Sequence, residues 1–209
     1  MSDVDRLAFW NERFNQAGEG YLFGAEPNRF LSAQSGYFHP GMKVLSVADG
    51  EGRNGVWLAQ QGADVTTLEL SPVAVAKARQ LAASRDVQVN FVLADALAWS
   101  WPGAAYDAVA AIFIQFATPA ERDQLFSNIR RAIKPGGLLL LHGYTPRQLE
   151  YGTGGPPLAD NMYTEAMLRA AFADMEILHL REHDDFISEG VAHHGMSALI
   201  DLVARKPGY

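Results

Sequence analysis

The sequence predicts an α/β domain whose sheet is mostly parallel and covered by helices on both faces. Three observations predict it. From residue 43 onward, short β-branched apolar runs alternate with segments of helical character. A glycine-rich turn, "ADGEGRNG" from Ala48 to Gly55, follows the first of these runs directly. The helix starts between runs carry capping chemistry, such as Ser71-Pro72 and Thr118-Pro119-Ala120-Glu121.

Each element follows in turn. "KVLSVA" from Lys43 is the first strand, and "GVWLAQQG" after the turn is a helix closed by Gly62. "DVTTLEL" is the second strand. Ser71 as N-cap, with Pro72 in the first helical position, launches "VAVAKARQLAAS". "VQVNFVL" and "YDAVAAIFI" are the third and fourth strands. The capping box at Thr118 starts a helix whose apolar face is Leu125, Phe126, Ile129 and Ile133. "KPGG" at 134–137 stops that helix, and "LLLLHG" is the fifth strand. After the longest loop, 145–163, Thr164 caps a helix running to about Ala173. "MEILHLREH" and "GMSALIDLVARK" are then two strands with no helix between them, so they are expected to be antiparallel neighbours.

Composition narrows the classes of function. The chain has 209 residues, enough for one well-buried domain, and 48% of them are hydrophobic. Its net charge is −7 with no cluster of Lys or Arg, which argues against a nucleic-acid partner. There is no cysteine, so thiol catalysis, zinc knuckles and disulfides are out of reach. The longest apolar stretch is interrupted by Asp107 and Gln115, and the acidic, amphipathic N-terminus does not resemble a signal peptide. The expectation is a cytoplasmic protein with a small-molecule substrate, no membrane partner, and a monomeric or homodimeric state.

Gly50 to Gly55 spell G-x-G-x-x-G, the pattern of dinucleotide-binding turns. Yet Asp49 and Glu51 sit in that turn. A carboxylate and a phosphate at about 4 Å repel by roughly 4 kcal/mol near a protein surface. A ligand with a cationic end and no phosphate suits the turn better, and S-adenosyl-L-methionine is such a ligand. The rest of its site is present in order. Glu69 ends the second strand, where an acid can take both ribose hydroxyls. Asp95 follows the third strand, where it can accept from the adenine amino group, with Ala96 and Leu97 against the ring.

"KVLSVADGEGRNGVWLAQQGADVTTLELSPVAVAKA", "FVLADAL", "YDAVAAIF" and "IKPGGLLLL" resemble successive motifs of the class I S-adenosylmethionine-dependent methyltransferases. "FWNERF…YLFGAEPNRFL" and "GTGGPP" resemble the small-molecule branch that includes the tellurite-resistance methyltransferases. The resemblance covers nearly the whole chain. It implies a Rossmann-like, seven-stranded sheet whose last strand is antiparallel. By position it assigns Ala48, Gly50 and Gly52 to the methionine end, Glu69 and Leu70 to the ribose, and Asp95, Ala96 and Leu97 to the adenine. Ser46, Asp49, Asn54, Ser71 and Ile112 complete the candidate cofactor set. Two positions depart from the family's pattern. Ser46 and Ala48 stand where an acid and a glycine are usual, and Ser46 can bond an ammonium but cannot neutralise it.

Methyl transfer is an in-line displacement that needs alignment above all, and a general base only where the nucleophile must lose a proton. No catalytic residue is therefore assigned from the sequence. Candidates for the substrate pocket are Gln115, His142, Tyr144 and Tyr151, with Tyr21 and Phe23 from the N-terminal segment. His193-His194 and the run from His179 to Asp185 raise a metal reading, but surface strands carry such groups routinely and no metal is expected. Residues 1–42 are expected to form a helical lid on the cofactor-binding part, 43–209, the whole being one compact domain. Leu7, Trp10 and Phe14 give its first helix a docking face, and a second helix starts near Pro27. A non-catalytic cofactor binder and a nicotinamide-dependent reductase remain the rival readings.

Overall fold

Alternation along the strands decides which side of the sheet each core residue takes. Leu45, Val47, Val109, Ala111, Leu139 and Leu141 fall in one buried cluster. Their neighbours Val44, Ala108, Ala110, Leu138 and Leu140 fall in a second. The two clusters are the two faces of one sheet, and such doubly buried strands carry apolar residues at consecutive positions.

The computed structural model describes residues 3–208. Met1, Ser2 and Tyr209, which the sequence reading divides between lid and main part, lie outside the described residues. The strands are β1 (Lys43–Val47), β2 (Asp64–Glu69), β3 (Asn90–Leu93), β4 (Tyr106–Ile112), β5 (Ile133–Tyr144), β6 (Glu176–Glu189) and β7 (His193–Arg205). They form one sheet in the order β3-β2-β1-β4-β5-β7-β6. β1 to β5 are parallel, and β7 runs antiparallel to both of its neighbours. The chain thus has the Rossmann-like, seven-stranded sheet with an antiparallel last strand.

Among the described residues, seven α-helices surround it: α1 (Asp3–Gln16), α2 (Arg29–Ala33), α3 (Arg53–Gln60), α4 (Pro72–Ser84), α5 (Pro119–Ala132), α6 (Gln148–Tyr151) and α7 (Glu165–Ala171). α5 and α7 bring Leu125, Phe126, Ile129 and Leu168 to the first cluster. α2 and α3 bring Phe30, Leu31 and Leu58 to the second. The caps read from sequence hold α4 and α5. Ser71 Oγ accepts from the Ala74 N–H at 3.2 Å, and Glu121 reaches back to the Thr118 N–H at 2.8 Å.

Three boundaries differ from the sequence reading. α5 ends before "KPGG" as expected, but β5 begins at Ile133 and carries Pro135 and Gly136 within it, past a register shift against β4. β6 continues to Glu189 and β7 starts at His193, so the loop between them is only Gly190 to Ala192. Polar residues in this hairpin disguise its length, since β6 is largely exposed. The second N-terminal helix starts at Arg29, because Asn28 is its cap and accepts from the Leu31 N–H.

Candidate functional site

The strand order reverses between β1 and β4, and crevices at such switch points are where open α/β sheets bind ligands. The turn after β1 opens that crevice. Ala48, Gly50 and Gly52 all take positive φ there, at 48°, 59° and 90°. At Gly52 the reason is twofold: φ is left-handed, and a Cβ would lie 2.7 Å from the Ala78 Cβ on α4. This glycine therefore lets α3 and α4 approach each other beneath the turn.

Both acids of the turn are held by donors of the protein itself. Asp49 folds under the turn, where its carboxylate accepts from Ser46 Oγ at 2.6 Å and from the Gly55 N–H at 3.1 and 3.2 Å. It occupies the N-terminal end of α3, the place a phosphate would seek. Phosphate is disfavoured because the protein's own carboxylate already holds that donor. Burial pushes Asp49 up to about 6, against the lowering effects of Ser46, Gly55 and Arg53. Glu51 turns the other way. It accepts from the Leu22 N–H at 2.6 Å and pairs with Lys77 at 2.9 Å, and Lys77 also donates to the carbonyls of Phe14 and Gly20. Glu51 thus ties the N-terminal segment to α4.

A cavity of about 490 Å³ lies above the strand ends. Ala48, Asp49, Gly50, Asn54, Glu69, Leu70, Asp95, Ala96 and Ile112 of the expected cofactor set line it. Ser46, Gly52, Ser71 and Leu97 do not. Ser46 serves Asp49, Gly52 caps α3, Ser71 caps α4, and Leu97 donates its N–H to Asp95 at 2.9 Å. Glu69 is buried at the wall, and its two oxygens accept from Gly50 N–H at 2.9 Å and Ser71 N–H at 2.8 Å. Burial, with a contribution from Asp49, pushes its carboxyl up to about 7 despite those backbone bonds. Each carboxylate oxygen has a second lone pair, so this group fits a diol that needs two acceptors side by side.

Of the expected substrate residues, Phe23, Gln115 and Tyr144 line the same cavity. Gln115 spends its amide on the backbone of β5, donating to the Tyr144 carbonyl at 2.8 Å and accepting from its N–H at 2.6 Å. Tyr21 packs instead with Val56 of α3 and Leu81 and Ala82 of α4. Tyr151 accepts from Arg147 at 3.0 Å on α6. His142 is a core-edge residue: it meets Asp201 at 2.6 Å and stacks on Phe30 at 5.4 Å. The other oxygen of Asp201 meets His183 at 2.9 Å. Among the described residues, no group of three or more His, Cys, Asp or Glu is placed to hold a metal ion.

The cavity is also lined by residues outside the candidate set drawn from the sequence. Phe113 follows β4 in the left-handed region, φ 54°, a conformation that aromatic residues rarely adopt. Its ring lies 4.8 Å from Tyr144 and 4.4 Å from His193. Phe14 faces the turn, near enough that a Cβ on Gly50 would touch its ring at 3.6 Å. Arg53 pairs with Glu189 at 2.7 Å. Although burial pushes Glu189 up, Arg53 and the bonds from Arg29 and Asn28 hold it below the usual carboxylate range. Arg6 is buried and joins Asp95 at 3.0 Å to Glu121 at 3.1 Å. The positive φ at Phe113 has no local sequence signal. The others depend on segments that meet only in the fold.

In fold and in the place of its crevice the chain resembles the class I S-adenosylmethionine-dependent methyltransferases. Residues 44–137 match the family model described as "Methyltransferase domain". Demethylmenaquinone methyltransferase of Thermus thermophilus is 33% identical over 106 residues, 50% of this chain and 48% of that relative. The chain thus spans about half the length of this curated relative. Among solved structures, magnesium protoporphyrin IX methyltransferase from Synechocystis, with bound SAH, aligns with a TM-score of 0.71 at 18% identity. The alignment covers 98% of this chain and 99% of that one. TehB from Haemophilus influenzae aligns at 0.69 and 19% identity, over 84% of this chain and 61% of its own. At such identities the two structures speak for the fold.

Proposed function

We propose that the protein transfers the methyl group of S-adenosylmethionine to a small-molecule nucleophile, a thiol, a soft oxyanion or a hydroxyl, by in-line displacement. One observation carries this reading. A single cavity runs from Glu69 and Asp95 at the ends of β2 and β3 to the aromatic residues Phe23, Phe113 and Tyr144. Its volume of about 490 Å³ lies within the roughly 300–1,000 Å³ of small-molecule sites.

Bound there, S-adenosylmethionine would supply a methyl group on a sulfonium sulfur. Glu69 would accept from the ribose hydroxyls and Asp95 from the adenine amino group, with Ala96 and Ile112 as apolar walls. Gly50, bare of a side chain, would give the methionine end close access to the backbone. Asp49, held by Ser46, returns a carboxylate to the neighbourhood that Ser46 itself leaves uncharged. The protein's main contribution is alignment, which supplies up to roughly 7–11 kcal/mol in favourable cases. In this reading residues 1–42 would act as the lid, which is supported by Arg6, Trp10, Phe14 and Phe23 lining the crevice.

The same reading places the enzyme in the cytoplasm as a monomer or homodimer, without a nucleic-acid or membrane partner. The missing cysteines and acidic balance agree with it, and no helix among the described residues is long and apolar enough to cross a membrane. The test is transfer of a labelled methyl group from S-adenosylmethionine to a panel of thiols, phenols and oxyanions, beside calorimetry with S-adenosylhomocysteine. Binding with transfer supports the enzyme. Binding without transfer to any of them would make the protein a cofactor binder instead.

A further inference from the structure

We propose that His193 is the general base of this enzyme, and that its methyl acceptor is a neutral aromatic hydroxyl compound, a phenol or hydroquinone, held between Phe23, Phe113, Tyr144 and His193. The inference rests on the methyl-transfer reading above and narrows its acceptor.

Two polar atoms carry it. His193 Nδ1 and Tyr144 Oη are buried and have no hydrogen-bond partner among the described residues. Their side chains are only 8% and 1% exposed, and both line the cavity. They meet in one corner of it. A Cβ built on Gly154 would lie 3.2 Å from Tyr144 Oη and 3.8 Å from His193 Cδ2. Folded proteins pair nearly all their buried polar atoms, so two orphans in one corner of a cavity mark a place for a polar ligand group.

The walls of that corner specify the rest of the ligand. The His193 ring lies 4.5 Å from Phe23, 4.4 Å from Phe113, and 5.8 Å from Tyr144 at right angles. Rings at these separations and tilts offer faces and edges to a flat apolar body. An acceptor with one oxygen on an aromatic ring meets both demands.

The charges facing His193 come from several elements. Arg53 of α3, paired with Glu189 of β6, Arg13 of α1 and His142 of β5 are its titratable neighbours, beside Tyr144. Burial first, then Arg53, His142 and Arg13, push the imidazole well below its ordinary range, so it starts neutral and holds a proton only transiently, as the sulfonium charge is lost. Arg53 and Arg13 favour the ionised form of a phenol beside them, while burial and Glu189 oppose it as they do at Tyr144. Tyr144, kept protonated by burial, supplies an O–H donor to the acceptor oxygen.

The step balances. The acceptor's O–H bond breaks, and its proton goes to the imidazole while the electron pair stays on oxygen. That oxygen forms the new C–O bond as the methyl carbon's bond to sulfur breaks and its pair goes to sulfur. The positive charge of the sulfonium ends on the imidazolium, which returns its proton to water as product leaves.

The experiment compares the intact protein with His193→Gln, using two acceptors: 2-naphthol, neutral at the assay pH, and 4-nitrophenol, assayed above its own pKa. With 2-naphthol the variant should lose roughly 10²–10⁴-fold in rate, and with the pre-ionised 4-nitrophenolate far less. In the intact protein bound to S-adenosylhomocysteine, adding 2-naphthol should shift the His193 imidazole resonances. Equal losses on both acceptors would show that His193 is not the base. If S-adenosylhomocysteine binds but neither phenol is methylated nor the resonances move, the acceptor class is wrong. If the intact protein does not bind S-adenosylhomocysteine, the methyl-transfer reading itself fails and this inference with it.

Discussion

Arg6 on the first helix lies 3.0 Å from Asp95 after β3, and both side chains are largely buried. The residue expected to receive the adenine is therefore also the latch that holds α1 across the crevice. Arg6→Ala should weaken docking of α1 by about 1.5–3 kcal/mol, the usual worth of a hydrogen bond to a charged group. Hydrogen exchange along residues 5–16 should accelerate at least tenfold in the variant, with the sheet unaffected. Exchange as slow as in the parent would mean that Arg6 holds nothing.

Glu69 should carry much of the cofactor's affinity. Removing its carboxylate leaves two ribose hydroxyls without acceptors, about 1.5–3 kcal/mol for charged bonds. Calorimetry on Glu69→Ala should therefore show S-adenosylhomocysteine binding at least tenfold weaker.

The pH dependence of that binding follows from the same group. Glu69 sits at about 7 in the fold, raised from 4.5. Between those values the folded state holds a proton that the unfolded chain has released, so stability of the free protein falls as pH rises from about 4.5 to about 7, then levels. Ligand binding runs the other way, because the diol needs the ionised carboxylate. Affinity should be flat above pH 7 and weaken below it, approaching tenfold per pH unit. A profile without a bend near neutrality would remove Glu69 from the ribose site.

Gly52→Ala tests the turn itself. The new methyl meets Ala78 at 2.7 Å in a left-handed conformation, so strain and overpacking add. A loss of roughly 2–4 kcal/mol is expected, and at about 2–4 °C per kcal/mol the melting temperature should fall by several degrees.

Nicotinamide dinucleotide supplies the control. With Asp49 already on the Gly55 N–H, millimolar NAD should leave the melting temperature where it was, whereas S-adenosylhomocysteine should raise it. A clear rise with NAD would point to a dinucleotide site.

The parts of this molecule that were legible in the sequence are those set by neighbours along the chain. Strand period, the caps at Ser71 and Thr118, and the glycine turn each need only a few adjacent residues. The direction in which Asp49 and Glu51 turn was hidden, since it depends on Gly55, Leu22 and Lys77 arriving from three elements. His193 was hidden for a different reason. In a hairpin of alternating polar residues, nothing local says which of two adjacent histidines turns inward, and only the packing of Phe23 and Phe113 decides it. Tyr21 and Phe23 show the same limit, with two aromatic residues of one loop sent to different clusters.

The hairpin's short connection also governs when the site can exist. Gly190 lies so close to residues 22–24 that any side chain there would collide with their backbone. Asn28 reaches Glu189 across 161 positions of sequence. Contacts of such separation form late in folding, after the entropy of a long loop has been overcome. Until β6 and β7 emerge from the ribosome, Phe23 lacks the hairpin that completes its packing, while α1 can already rest on α4, the glycine turn, Asp95 and Glu121. The cavity is thus closed by a segment synthesised after all five parallel strands.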